Sequence, residues 1–321
     1  MTIRRIAMRP ITRRHVLAGT TMLAAGGLAY TTAIEPAWRL AVTRYRPRPA
    51  NWPDDMPLTI AVLSDFHIGG PVMGLGRIEE IVARTNALGA DLIVMLGDYP
   101  GSLWWQPAAL KVSLDDFARR AAALKAPLGV YSVLGNHDWW DDETAMHLRR
   151  GPTKVTRALE AVGIPVLENK ALRLVHDGRP FWLAGLGDAS AFPRDGVALF
   201  DGVDDLPATL AQCTDDAPIL LIAHEPDIFV DVPDRIALTL CGHTHGGQIN
   251  IAGWSPSIPS LYGDRFRYGH IVEDDRHLIV SGGLGCSRLP VRFGVPPEIV
   301  LVSLGGSAAP RWLGRVVPSL R

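Results

Sequence analysis

The chain has 321 residues with 32 Lys and Arg against 33 Asp and Glu, and its composition, 47% hydrophobic and 20% charged, excludes an intrinsically disordered polypeptide. The near-neutral total hides a split: the first 50 residues hold nine Arg and a single acid, Glu35, a net of +8, and the remaining 271 residues carry −9. An acidic body lacks the basic footprint of a nucleic-acid scaffold, and three cysteines, Cys213, Cys241 and Cys286, are too few for a disulfide framework.

Residues 1–15 are basic, and Thr12-Arg13-Arg14-His15-Val16-Leu17 leads into a weakly apolar stretch of small residues that ends at Tyr30. This pattern resembles the twin-arginine export signal, with Val16 at the large apolar position and Ala18 where a Lys is common. The resemblance implies export of an already folded chain, with the twin-arginine translocase as a transient partner. It also implies a location in the periplasm, the cell envelope or the outer face of the inner membrane. Gly27-Leu28-Ala29 and Thr31-Thr32-Ala33 both offer small-x-small cleavage points. Alternatively, the leader is retained as an anchor: the run 16–34 has 19 residues, against the roughly 20 that cross a bilayer. Residues 1–34 are read as signal or N-terminal anchor, 35–305 as one domain and 306–321 as a C-terminal tail.

After Glu35-Pro36 a first strand is expected over 38–45 and a Pro-rich connector over 47–57. The pattern then becomes regular: a buried strand over 58–64, a helix over 77–88 and a second buried strand over 91–96, together a βαβ unit. A helix over 109–124, a strand over 128–134 and a helix over 153–162 extend it. Strands are expected over 171–175, 181–186, 218–223, 236–241, 248–251, 278–281 and 298–303. No Gly/Ser-rich linker divides the halves, so two packed sheets with flanking helices are expected in a single α/β domain.

The informative fact is how the strands end. Five buried strands run directly into polar residues: Asp65-Phe66-His67, Gly97-Asp98, Gly135-Asn136-His137-Asp138, His224-Glu225-Pro226 and Gly242-His243-Thr244-His245. Sites in α/β sheets form beyond the carboxyl ends of strands, so these blocks would converge on one cleft. In Asp65-x-His67 and His243-x-His245 the paired side chains lie two residues apart, which in extended geometry puts them on one side. Gly before Asp98, Asn136 and His243 permits a sharp turn at each strand end. A set of carboxylate, imidazole and amide oxygen suits Mn, Fe or Zn and is too rich in nitrogen for Ca or Mg alone.

The five blocks, in this order over residues 58–248, resemble the calcineurin-like metallophosphoesterase superfamily. Glu35-Pro36-x-Trp38, Gly283-Leu284-Gly285-Cys286 and Pro297-Glu298-Ile299 are similar to its exported bacterial branch. The resemblance implies a four-layer α/β/β/α sandwich of two mixed sheets and a cofactor of two divalent ions. Asp65, His67 and His245 would hold the first ion and Asn136, His224 and His243 the second, with Asp98 bridging them. A hydroxide between the ions would attack phosphorus in line, and His137 would contact the phosphate and protonate the leaving oxygen. The implied activity is that of a phosphoric ester hydrolase acting as a phosphodiesterase on a phosphoester, with lipid-linked esters among the candidates. The alternatives are a pyrophosphohydrolase of a nucleotide-activated or phospholipid substrate at the membrane, and a non-catalytic metal-dependent scaffold, against which His137 weighs.

Departures from the family's better-known branches sharpen this. Gly97-Asp98-Tyr99-Pro100-Gly101 lacks the second Asp that orients the catalytic His in protein phosphatases and the Tyr ligand of purple acid phosphatases. Asp138, adjacent to His137, is expected to anchor backbone instead. The pairs Trp104-Trp105 and Trp139-Trp140 are read as loop packing, and Cys241 as a small buried residue. One of Arg265, Arg267, Arg288 and Arg292 is a candidate for gripping phosphate. His15, His147, His176, His270 and His277 are expected on the surface or in loops.

Overall fold

The computed structural model describes residues 12–103, 111–194 and 199–306. Trp104-Trp105, the start of the expected helix at 109–110, the basic residues before Thr12 and the tail from 307 lie outside the described residues. Thr12 caps α1 (Arg13–Ala29): its hydroxyl accepts the His15 N–H, and His15 Nδ1 accepts the Thr12 N–H. The chain continues as a π-helical segment, Tyr30–Trp38, and reaches an extended conformation only at β1 (Ala41–Tyr45). The strand expected from Trp38 therefore starts late. The Arg292 N–H donates to the Thr31 carbonyl at 2.9 Å, which docks this segment in helical form with Glu35 and Pro36 buried and Trp38 exposed.

The next elements are β2 (Leu58–Leu63), α2 (Leu75–Ala87), β3 (Leu92–Met95), β4 (Ser102–Leu103), α3 (Leu114–Ala121) and β5 (Val130–Ser132), followed by α4 (Asn136–Trp140), α5 (Glu143–Leu148) and α6 (Lys154–Glu160). The second half contains β6 (Lys170–His176), β7 (Arg179–Gly185), β8 (Phe192–Pro193), β9 (Phe200–Asp201), α7 (Leu206–Ala211), β10 (Ile219–Ile222), β11 (Ile236–Cys241), β12 (Gly269–Glu273), β13 (Arg276–Val280), β14 (Ser287–Arg288) and β15 (Glu298–Leu304). The helix expected over 109–124 is shorter because Ser113, whose hydroxyl accepts the Asp116 N–H, sets its start. No strand forms over 248–251; isolated bridges from Ile249 to Phe293 and from Ile251 to Trp254 take its place.

Two sheets form, in the orders β1-β15-β2-β3-β5 and β12-β13-β11-β10-β7-β6. Both are mixed: β2, β3 and β5 run parallel, as do β7, β10, β11 and β13, while β15 opposes β2 and the strands β6 and β12 are antiparallel edges. Alternation along each strand decides the layers. In β2, Ile60 and Val62 face an inner core with Leu220, Ile222 and Leu240 of the other sheet, whereas Ala61 and Leu63 face the core with Ile78, Ile81, Phe117 and Leu159 of the helices. Across β10, Ile219 and Leu221 pack outward with Leu206 and Phe229. The result is the four-layer α/β/β/α arrangement, with the carboxyl ends of β2, β3, β5, β10 and β11 gathered along one rim.

Candidate metal centre

Every strand-end block arrives at that rim. Backbone bonds lace them together: Asp65 N–H donates to the Gly97 carbonyl, His67 N–H to that of Asp98, and Gly242 N–H to that of His224. The strands must turn sharply here, and Asp65, His67, Asp98, His243 and His245 all take positive φ, between 43° and 68°. Such conformations are costly for side chains with a Cβ, although Asp and His tolerate them better than most. The preceding glycines act differently from one another. Gly97 itself has φ 91°, whereas at Gly242 the constraint is space, since a Cβ there would meet the Ser64 side chain and lie 2.5 Å from Asp65 Oδ2.

Two groups result. Ligand atoms of Asp65, His67 and His245 lie within 4.8 Å of one another, and so do those of Asp98, His224 and His243. His245 Nε2 is 2.9 Å from His67 Nε2 and 3.3 Å from Asp65 Oδ1, and His243 Nδ1 is 3.2 Å from His224 Nε2. Asp98 stands between the groups, its Oδ2 3.6 Å from His67 Nε2 and 3.3 Å from His224 Nε2.

These side chains fit divalent ions. The His67 and His224 Nδ1 atoms face the Pro100 and Leu96 carbonyls at 3.1 and 2.6 Å, which holds a proton on each Nδ1 and points each Nε2 toward the centre. Asn136 Oδ1 is buried without a hydrogen-bond partner, an arrangement that costs free energy unless something binds it. Burial lowers His67 and His243 to about 3 and His245 well below the usual imidazole range, so these rings are neutral; the His245 lone pair lies on Nδ1, where it accepts from Arg292. Burial lifts Asp65 to about 6. It opposes ionisation of Asp98 as well, yet the positive charge of His224, itself raised well above the usual imidazole range by Asp98, holds that carboxyl well below its ordinary range.

The surrounding residues divide between support and access. Asp138 Oδ2 accepts the N–H groups of Asp98 and Gly135, and its Oδ1 that of Tyr99, so it anchors backbone as its sequence position suggests. His137 is half-buried, its ring 5.2 Å from that of His67 and 5.0 Å from that of Trp140. The tryptophan pair splits: Trp139 is fully buried against Phe192, but Trp140 lines an open groove of about 560 Å³ with Ile68, Lys111, Val112 and Leu114. Arg292 does not grip substrate. It is fully buried and donates to the Gly285 and Val295 carbonyls and, from Nη2, to His245 Nδ1 at 3.1 Å. Arg265 is committed to Glu273 through two bonds.

Asp188 was not anticipated. It follows β7 and is fully buried, and with its neighbour Glu225 it presents an unpartnered carboxyl oxygen beside His224. Burial raises both acids, and the charge of Glu225 raises Asp188 further. The signal was available, because Gly187-Asp188 repeats the strand-end pattern of Gly97-Asp98.

A sandwich of two mixed sheets, with two adjacent acid-imidazole groups at the strand ends, offers the donor set of a metal-dependent phosphoesterase. Residues 58–247 match the calcineurin-like phosphoesterase family, and the chain belongs to it. It is thus a hydrolase acting on phosphoric ester bonds. Among relatives, a metallophosphoesterase of Bacillus subtilis strain 168, YkuE, is 28% identical over 92% of this chain and 99% of its own length. The phosphodiesterase YaeI of Escherichia coli strain K12 is also 28% identical, over 92% of this chain and 99% of its own. A transmembrane protein with a metallophosphoesterase domain from Danio rerio is 29% identical over 77% of this chain, which spans about half (53%) of that relative.

Proposed function

We propose that the chain is an exported phosphodiesterase holding one divalent ion on Asp65, His67 and His245 and a second on Asn136, His224 and His243, with Asp98 shared between them. The observation that carries this reading is the position of Asp98, within 3.6 Å of an imidazole from each group. Bound there, two ions of Mn, Fe or Zn would supply a water acidified toward neutral pH and a positive clamp on the phosphoryl oxygens. The side chains do the rest. His137, half-buried against His67, gives its proton to the departing ester oxygen as water adds to phosphorus and one P–O bond breaks, releasing an alcohol and a phosphomonoester. A diester needs room for two organic groups, and the groove at Trp140 and Ile68 offers space for one of them beside His137. The name of the Escherichia coli relative supports a diester substrate. Export rests on Thr12-Arg13-Arg14 and the weakly apolar run behind it, with the twin-arginine translocase as carrier.

The test is Asp98→Asn, assayed with a bis-aryl phosphate and added Mn. Turnover should fall by about 100-fold or more, the scale on which loss of one essential electrostatic partner acts, with the far-UV spectrum unchanged. Near-normal turnover of a folded variant would overturn the mechanism. Protease accessibility of the body in intact cells, compared with cells lacking the translocase, tests export separately.

A further inference from the structure

Seventeen large apolar side chains are exposed among the described residues, and twelve of them lie on two stretches. Leu17, Met22, Leu23, Leu28, Ile34 and Trp38 belong to α1 and the π-helical segment, and Ile251, Trp254, Leu261, Tyr262, Leu289 and Phe293 to the loops around the site. Scattered exposure needs no explanation, but concentration does. The two stretches meet, because the Tyr30 ring packs edge-on against Phe293 at 6.3 Å and Phe293 exchanges backbone bonds with Gln248 and Asn250.

The second stretch is fastened to the candidate metal centre at both ends. The Gln248 N–H donates to the His245 carbonyl, and Ser255 Oγ donates to the Gly247 and Ile249 carbonyls. Further on, Asp227, three residues after His224, accepts from Ser260 Oγ and the Leu261 N–H. Between these anchors, Ile251 and Trp254 exchange backbone bonds across a tight turn. Trp254 is 62% and Leu261 74% exposed although the backbone around them is fixed, so their exposure is built in.

Charge identifies the occupant. Arg13 and Arg14 are exposed at the start of α1, Arg39 beside Trp38 and Arg288 beside Leu289, whereas the 271 residues after position 50 carry a net −9. Apolar and aromatic side chains rimmed by Arg suit the headgroup boundary of an anionic bilayer, and an acidic body turns away from such a surface. None of the described helices is long and apolar enough to cross a membrane. We infer that this face rests on an anionic phospholipid bilayer and brings the centre to the phosphodiester of a membrane-borne lipid. The substrate clause rests on the function proposed above; the docking surface does not.

The full chain is sedimented with phosphatidylcholine vesicles and with vesicles that also contain phosphatidylglycerol, beside a variant carrying both Trp254→Ser and Leu261→Ser. Wild type should pellet with the anionic vesicles and much less with the neutral ones, and the variant's partition should fall about tenfold, as loss of two interfacial side chains implies. Variant turnover of a soluble bis-aryl phosphate should stay within about twofold of wild type, which also verifies folding. Equal partition of variant and wild type, or no vesicle binding by wild type, overturns the inference, as does a wild-type dimer that the two substitutions dissociate. Vesicle binding without hydrolysis of any diester instead defeats the proposed activity and leaves the docking surface standing.

Discussion

Asp138 holds Asp98 by its backbone, not by its side chain: the Asp138 Oδ2 accepts the Asp98 N–H at 2.9 Å while its Oδ1 accepts the Tyr99 N–H at 2.9 Å. One carboxylate thereby fixes the turn that carries Asp98. Asp138→Asn turns one of these acceptors into a donor facing an N–H, and a buried group left unpaired costs about 1–3 kcal/mol. The denaturation midpoint should drop accordingly, and turnover should fall as Asp98 loses its position. Unchanged stability and turnover would show that the anchor is dispensable.

His137 has a different signature. As a proton donor it matters most when the leaving oxygen is a poor one, so His137→Ala should cost roughly 10²- to 10⁴-fold with an alkyl leaving group. The loss with nitrophenolate should be much smaller. Comparing the two esters in one preparation checks this, and equal losses would make His137 a binding residue only.

Buried Arg292 orients His245 and satisfies the Gly285 and Val295 carbonyls. Hydrogen bonds that involve a charged group contribute about 1.5–3 kcal/mol each, so Arg292→Met should lower stability by several kcal/mol and weaken metal uptake measured by calorimetry. Arg288→Ala, at an exposed position, should leave stability nearly unchanged and serves as the control.

Away from the centre, the β12–β13 hairpin carries a histidine pair, with His270 Nε2 2.9 Å from His277 Nδ1. Burial and then the neighbouring His277 lower His270 to about 4, and burial also lowers His277. A lowered imidazole means that the unfolded chain binds more protons than the folded one between the two pKa values. Stability from this pair is therefore complete above the unfolded value of 6.5 and is lost as pH falls through about 4. Urea unfolding between these limits should show a shallower acid decline in His277→Asn than in wild type.

Chelation offers the last check. Removing tightly bound divalent ions should abolish turnover and lower the melting temperature, since a ligand at about 1,000 times its dissociation constant contributes about 4 kcal/mol. Restoring Mn or Zn should recover both. A melting temperature that does not respond to chelator would contradict ligation by these buried residues.

The candidate centre was legible in the sequence because its chemistry is local: each candidate ligand lies within four residues of the end of an apolar run, and Gly marks three of the turns. The edges were less legible. β12 reads Gly-His-Ile-Val-Glu with alternating exposure, a weak pattern stabilised mainly by its pairing with β13. Trp38 carries strand propensity, yet docking through Thr31 keeps its segment helical. Arg292 is a phosphate-gripping candidate by sequence because nothing there shows that residues 285–295 fold over it, and Gln248 lies in a run where apolar composition conceals a loop tied to Phe293 and Ser287.

Asp98 also has a mechanical side. Asp98 stems from β3 in one sheet, whereas its partner His224 stems from β10 in the other. Each candidate group likewise draws on both sheets, so the rim is a clasp closing the sandwich at one end, while across the opposite rim Arg179 pairs with Asp55 and Asn51 donates to the Asp234 and Arg235 carbonyls. Force applied to part the two sheets would be resisted at both rims, and a cation seated at the clasp would act as its rivet.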